Sequence, residues 1–176
     1  MSRTVDVTVY AETSASPEKA FDFIAPIDLD RIFDRWLLIP GVTGVRSQSG
    51  PWSTPGQTRV VLLSDGSEVR EELRDVERPD GFTYRVGPFP GPLGMIAVAA
   101  EGEWDFSRDD GRTRVTWTYR FRPARLRRWL VLLLIAPMWR GYARRALRKA
   151  VAGLENAKAG PTSTQDPQGE ASPGPG

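Results

Sequence analysis

The sequence predicts an α+β domain: a curved antiparallel sheet of about seven strands wraps around one long C-terminal helix, and two short helices follow the first strand. Three observations predict this. Turn residues separate pairs of strand-like segments between residues 57 and 121. After Pro123 the apolar residues recur with the period of a helix. Ser16 and Pro17 form a helix start directly after the first strand-like segment.

The N-terminal segment, residues 4–12, alternates apolar and polar residues, which predicts a strand with one buried face. The segment "SASPEKAFDFIA" then predicts a helix with Ser16 as its N-cap. Pro26 ends that helix, and "DLDRIFDRW" predicts a second short one. Strand-like sequence returns at "GVTGVRSQ", residues 41–48.

Three turns predict three hairpins, centred on residues 65–66, 79–81 and 109–111. The predicted registers place Leu62 opposite Val69, Glu77 opposite Phe82, and Phe106 opposite Thr113. These registers separate an apolar face from a charged one, as expected for an antiparallel sheet with one side in water. The predicted inner face holds Val60, Leu62, Val69, Leu73, Phe82, Tyr84, Val86, Trp104, Phe106, Val115, Trp117, Tyr119 and Phe121.

The long helix is predicted from about residue 124 to residue 156, with a bend at Pro137. Its buried stripe consists of Ala143, Ala146, Leu147, Ala150, Val151 and Leu154, with Arg144, Arg145, Arg148 and Lys149 opposite. The segment that follows is rich in Pro, Gly and polar residues, which is typical of disorder. We therefore expect a domain over residues 1–157 and a disordered tail over residues 158–176.

The composition excludes several kinds of catalytic and cross-linking chemistry. The chain contains no cysteine and no histidine, which excludes disulfides, thiolate chemistry and histidine-based triads. We predict no metal site and no cofactor. The N-terminus lacks the apolar core of a signal peptide, so we expect a cytoplasmic protein.

Charge is distributed unevenly along the chain. Residues 1–111 carry a net charge of −8, residues 112–154 carry +12 with no acidic residue, and residues 155–176 carry −2. The basic part therefore either faces an anionic partner or pairs with the acidic part of its own chain.

The order of elements and four segments resemble a known superfamily. The segments are "ASPEKAFDFIAPIDLDRIFDRW", "GPWSTPGQTRVVLLSDGSEVREEL", "RPDGFTYRV" and "DDGRTRVTWTYRF". Over residues 4–156 the chain resembles the START/Bet v 1-like (SRPBCC) superfamily, in its bacterial polyketide cyclase/dehydrase and lipid-transport group. The resemblance implies the helix-grip fold, with a cavity between the sheet and the long helix. Because members include cyclases, lipid carriers and hormone receptors, it implies no single activity, and no catalytic residue is carried over.

Glu71 is the first candidate site residue, because the predicted register places it on the apolar face. A buried carboxylate needs a hydrogen-bonding or charged partner. One interpretation is a polar anchor or base in a ligand cavity; the other is a structural pair with an arginine or a tyrosine hydroxyl.

Aromatic residues on the same face, Tyr84, Trp104, Trp117 and Tyr119, are the other predicted ligand-binding residues. They lie among the small residues Ala100 and Gly102, which suits either a packed core or a ligand space. The loop "VGPFPGPLGM", residues 86–95, is either a connector or an apolar lip of the cavity.

The stretch "RRWLVLLLIAPMWRGYARR", residues 127–145, holds an apolar run between arginines. The run from Trp129 to Trp139 has eleven residues and spans ~16 Å as a helix. This is about half of the ~30 Å hydrocarbon core, so a transmembrane helix is not expected. One interpretation is a core helix that also contacts loops or a second subunit. The other is contact with an anionic membrane, through Arg127, Arg128, Trp129, Trp139 and Arg140.

Three functions are compatible with these observations. The first is binding or transport of a hydrophobic small molecule, lipid or polyketide-like, in the cavity, with loading at a membrane surface as an extension. The second is a cyclase or dehydratase with Glu71 as base and Tyr84 or Tyr119 as acid. The third is an interaction module that dimerises through the apolar helix. No nucleic-acid-binding module is recognised, and the sequence leaves the oligomeric state open.

Overall fold

The computed structural model describes residues 4–159 as one seven-stranded antiparallel sheet with helices on its inner face. The strand order is β1-β7-β6-β5-β4-β3-β2. The strands are β1 (Val5–Thr13), β2 (Val42–Arg46), β3 (Thr58–Leu63), β4 (Glu68–Glu77), β5 (Gly81–Val86), β6 (Ala97–Asp109) and β7 (Arg112–Pro123). The predicted α+β helix-grip architecture is confirmed.

The helices are α1 (Pro17–Ile24), α2 (Leu29–Ile32), α3 (Gly91–Ile96), α4 (Arg128–Leu130) and α5 (Ala136–Ala159). In α1, the Ser16 hydroxyl accepts a hydrogen bond from the Lys19 amide, and Pro17 occupies the first turn, as the sequence predicts. Ala20, Phe21 and Ile24 face the core from this helix.

The long helix runs from α4 through a π-turn (Val131–Ile135) into α5. The sequence predicts a bend at Pro137, and the irregularity found there is this π-turn. Pro137 has no N–H to donate, whereas the amide of Ala136 reaches back to the carbonyl of Val131. The helix includes Lys158 and Ala159; the rest of the predicted tail, residues 160–176, lies outside the described residues.

The predicted register of β3 and β4 is wrong by one residue. Leu62 lies opposite Glu68, and Arg59 lies opposite Glu71. The Leu63 amide donates to the Ser67 carbonyl and closes a turn of three residues, in which Gly66 takes a left-handed φ of 84°. A one-residue shift reverses the faces of a strand, so Arg59 and Val61 point inward, not Val60 and Leu62.

The other two hairpins also depart from the predicted registers. A bulge between Leu73 and Asp75 places Val76 opposite Phe82, so Val76 takes the inner position next to the turn. In the last hairpin, Phe106 lies opposite Val115, two residues from the predicted partner. A two-residue shift leaves the faces unchanged, so the inner residues of β6 and β7 are those the sequence predicts.

The core lies between the inner face of the sheet and α5. The apolar stripe of α5 is buried there at Ala143, Ala146, Leu147, Ala150 and Leu154, with Val151 partly buried. The side of α5 that carries Arg144, Arg145, Arg148 and Lys149 is exposed. The predicted division of this helix into two faces is therefore confirmed.

Candidate functional site

The inner face of the sheet carries the candidate site. All the predicted ligand-binding residues are buried on it, at 8% exposure or less. They are Glu71, Tyr84, Trp104, Trp117 and Tyr119. They come from four adjacent strands, β4 to β7, and form one continuous surface beneath the long helix.

Glu71 is paired with an arginine that the predicted register placed on the other face. The Arg59 Nε donates to a Glu71 carboxylate oxygen at 2.7 Å, and both side chains are buried. The Arg59 guanidinium also lies 3.9 Å from the centre of the Trp52 ring. Of the two interpretations of Glu71, the arginine pair is therefore present, and it brings a fixed positive and negative charge into the interior.

Tyr84 lies flat across the neighbouring strand. Its ring occupies the space above Gly102, where a Cβ atom would lie 2.2 Å from the ring. The Tyr84 hydroxyl accepts a hydrogen bond from the Trp117 indole N–H at 3.1 Å. Burial raises the pKa of Tyr84 well above its usual value, and the nearby Glu71 carboxylate raises it further. The phenol is therefore protonated at neutral pH and remains a hydrogen-bond donor.

The rest of the interior is filled by aromatic rings. Trp104 and Trp117, directly opposite each other on β6 and β7, stack with centroids 4.9 Å apart. Phe33, after α2, packs edge-on against Trp117 at 5.8 Å. Burial also raises the pKa of Tyr119, so this second phenol is likewise a protonated donor.

Trp139 lies on the inner side of the long helix. The centre of its ring lies 4.3 Å from that of Tyr119, and the ring also contacts Trp117, Phe121 and Tyr142. The sequence interpretation placed Trp139 on the outer side for membrane contact, and that placement is wrong. The helical period is the physical reason, because Trp139 lies in α5 four residues before the buried Ala143 and therefore shares its face.

Two indole N–H groups in the interior have no partner. The Nε1 atoms of Trp52 and Trp139 are buried and make no hydrogen bond within residues 4–159. A buried donor without an acceptor costs ~1–3 kcal/mol, so such groups are rare in well-packed cores. They provide two places where an acceptor on a bound molecule would be stabilised.

Two segments pack against the first half of the long helix. The predicted lip, residues 86–95, includes most of α3; its Phe89 and Leu93 pack on the core, while Met95 is exposed. The Arg127 side chain donates to the Met95 carbonyl, which ties α3 to the helix start. On the other side, the loop after α2 places the Trp36 ring directly on Gly141.

The sequence analysis missed Arg59, Trp52 and the inward position of Trp139. The segment "TRVVLL" does not alternate, so only the length of the following turn reveals which of its residues point inward. Trp52 could have been noticed as a large aromatic residue in a segment of turn residues, because such a side chain needs burial.

Two small depressions, of about 110 and 40 Å³, lie on the outer face of the sheet. The larger is lined by Arg70, Glu72, Arg85 and Gly87, all outside the aromatic interior. Within residues 4–159, no group of acidic side chains is arranged to hold a metal ion. Across the same residues, no helix is both long and apolar enough to cross a lipid bilayer.

The chain matches a protein family over nearly all of the residues that form this sheet and helix. Residues 4–155 match the family described as polyketide cyclase/dehydrase and lipid transport. The chain belongs to this family. The resemblance read from the sequence is thereby confirmed. No curated protein matches the chain.

Solved structures share the fold of the family at low sequence identity. The di-domain ARO/CYC BexL, from the BE-7585A biosynthetic pathway, is 18% identical with a TM-score of 0.61 over 86% of this chain and 50% of its own. Protein Ms6760 from Mycobacterium smegmatis is 21% identical, with a TM-score of 0.59 over 88% and 93%. The major latex-like protein 151 from Panax ginseng is 13% identical, with a TM-score of 0.61 over 86% and 98%.

Proposed function

We propose that this protein binds a hydrophobic small molecule that carries oxygen acceptors, in the space between the inner face of the sheet and the long helix. The observation that carries the proposal is the pair of buried indole donors without a partner among the described residues, on Trp52 and Trp139, both packed in or against the hydrophobic core. A pure hydrocarbon would leave both donors unsatisfied, whereas a carbonyl or hydroxyl oxygen would accept from them.

Fixed polar groups lie near Trp52. Arg59, which pairs with Glu71, lies over the Trp52 ring, and Tyr84 lies on the strand next to Glu71. A few oriented polar groups among apolar walls are typical of small-molecule sites. They supply orientation, while burial of the ligand's apolar surface supplies most of the free energy of binding.

Access requires movement, since side chains fill this space in the described conformation. The wall at the helix start is weakly packed, because Val131 is the one buried residue from residue 126 to residue 135. Segments with few buried contacts open at low free-energy cost, and π-turns are frequent at functional sites. We propose that this segment and Trp139 move outward to admit the ligand.

Native mass spectrometry of gently purified protein tests the proposal, followed by solvent extraction of any bound species. We expect a discrete added mass that is lost on extraction and whose elemental composition includes oxygen. A protein that is free of ligand, and that also fails to bind oxygenated polycyclic or fatty-acid probes in titration calorimetry, would contradict it.

A cyclase or dehydratase activity is the second candidate, because the family description includes both. Tyr84 and Tyr119 are protonated buried donors that suit stabilisation of an enolate oxygen, and Glu71 is the carboxylate on the same face. The Glu71→Gln variant separates the two candidates. Lost turnover with retained binding of the extracted compound indicates an enzyme, and weakened binding with no turnover in either protein indicates a carrier.

A further inference from the structure

We infer that the start of the long helix is a docking surface for an anionic lipid membrane. The surface is defined by residues 126–134, which we term the leucine segment, and by the exposed arginines on either side of it. This inference is independent of the ligand proposed above, because it rests on the outer side of the helix and not on the interior.

The leucine segment exposes several large apolar side chains close together along the chain. Leu126 is 86% exposed, and Trp129, Leu132, Leu133 and Leu134 are 58%, 43%, 68% and 51% exposed. Met95 on α3 is 61% exposed, and its carbonyl accepts a hydrogen bond from Arg127 within the segment. Contiguous apolar patches of this kind mark interaction sites on soluble proteins.

Unpaired arginines flank the segment. Arg125 precedes it, Arg128 lies within it, and Arg140, Arg144 and Arg145 follow on the outer side of α5; all are exposed. None of them forms an ion pair with any described residue. Elsewhere on the sheet, Arg114 pairs with Asp109 and Arg120 with Glu103, whereas Arg70 and Arg108 are exposed and form no ion pair among the described residues.

The acidic part of the chain does not neutralise this surface. Of the charged groups that face α5, Asp34 pairs with Lys149, and Glu155 bonds to Thr13 and Ser14 at the far end of the helix. Residues 112–154 contain no acidic residue at all. The positive charge around the leucine segment is therefore available to an external anionic partner.

An anionic bilayer can bind both the apolar side chains and the arginines of this surface. Leucine and tryptophan side chains insert at the boundary between headgroups and acyl chains, and arginines bind the phosphates. A symmetric dimer through the same surface would bring its arginines against those of the second copy. A nucleic acid would leave the leucines in water.

Flotation with vesicles of phosphatidylcholine, with and without phosphatidylglycerol, tests the inference on the full chain. We expect binding to the vesicles that contain phosphatidylglycerol, weakened by added salt, and little binding to phosphatidylcholine alone. Absence of binding to both kinds of vesicle overturns the inference.

A triple variant, Leu132→Ser with Leu133→Ser and Leu134→Ser, tests the apolar half. We expect the affinity for anionic vesicles to fall at least about tenfold, because insertion loses three leucines. Tyr10→Ser, at an exposed position on β1, is the matched control and leaves binding unchanged. The three leucines are exposed, so the variant should keep the circular dichroism spectrum of the native protein.

The basic half is tested by Arg144→Gln with Arg145→Gln. Each charge removed should weaken vesicle binding about fivefold, which corresponds to ~1 kcal/mol. The matched control, Arg70→Gln with Arg108→Gln, removes two exposed arginines elsewhere and should change binding much less. Equal losses in both double variants would mean attraction to net charge alone and would overturn a defined surface.

Two further measurements keep the result unambiguous. Acyl chains brominated near the headgroup should quench tryptophan fluorescence in the native protein, and Trp129→Phe should remove most of that quenching. Light scattering reports the oligomeric state. A dimer that the triple leucine variant dissociates, in a protein that does not bind vesicles, would assign the surface to a second copy and overturn the membrane inference.

Discussion

At the scale of single residues, the interior combines aromatic rings with one buried ion pair. Arg59 and Glu71 are 6% and 8% exposed, and their contact is short. Burial of two charges costs free energy that their attraction only partly offsets, so such a pair is weak evidence for stability. Its presence on the candidate ligand face fits a role in orienting a bound molecule.

Removal of one partner of this pair should be far more costly than removal of both. Arg59→Met leaves the Glu71 carboxylate buried and uncompensated, and we expect the free energy of unfolding to fall by ~3–5 kcal/mol. Arg59→Met combined with Glu71→Leu should restore most of that loss. Urea denaturation of the single and double variants measures both; a double variant as unstable as the single one would contradict this account.

Glu155 couples stability to acid pH. The Thr13 hydroxyl and the Ser14 amide and hydroxyl donate to its carboxylate and lower its pKa from 4.5 to about 2. Because the pKa is lower in the folded state, the stabilisation is present above pH 4.5 and is lost as the pH falls toward about 2.

We therefore expect Glu155→Gln to lower the melting temperature at neutral pH, with the difference from the native protein shrinking as the pH falls below 4.5. Thermal unfolding over a pH series measures this. Ser14→Ala, which removes only the hydroxyl donor, should show a smaller effect of the same sign. A difference that is constant with pH would contradict the assignment.

At the scale of elements, turn length and helical period decide which side chains meet. The loop between β3 and β4 brings Arg59 to Glu71. Trp139 lies in α5 four residues before the buried Ala143, so the helical period places it on the inner face.

Gly66 stabilises that loop because of its left-handed backbone. No atom lies within 4 Å of the position that a Cβ would take, so a substitution there acts through backbone conformation alone. We expect Gly66→Ala to lower the free energy of unfolding by ~1 kcal/mol, and Gly66→Asn by less, since asparagine tolerates this conformation. Chemical denaturation of both variants measures the order, and equal stability of all three proteins would contradict it.

At the scale of the whole molecule, the sheet and the long helix enclose an interior that is closed in the described conformation. The helix is held firmly along its C-terminal half, by its buried stripe and by Glu155, and loosely at its start. The weakly packed wall, the Trp139 donor and the leucine segment therefore lie at the same end of the long helix. Membrane contact and ligand access would therefore involve the same segment.

Two tryptophan variants test this description of the interior. Trp139→Phe removes a donor that has no partner, so we expect it to cost about 1 kcal/mol or less. Trp117→Phe removes a donor bonded to Tyr84 and a stacked ring, and should cost ~2–3 kcal/mol. Urea denaturation ranks them. Equal costs would mean that the Trp139 indole N–H is satisfied in solution.

Periodicity and turn chemistry in the sequence determined the kind of each main element, the division of the sheet into an apolar and a charged face, and the buried stripe of α5. Each of these depends on neighbours along the chain, which the sequence displays directly. Glu71 and the four aromatic candidates are buried for the same reason, since their strands alternate strongly. Whether these residues bind a ligand remains a proposal.

Only the tertiary structure decided the partner of Glu71 and the way in which the interior is filled. A one-residue difference in the loop between β3 and β4 reverses the faces of a strand at almost no local cost, so the choice is made by the total burial that each alternative achieves. The space above Gly102 illustrates this: the sequence allows a ligand there, and the ring of Tyr84 from the next strand occupies it.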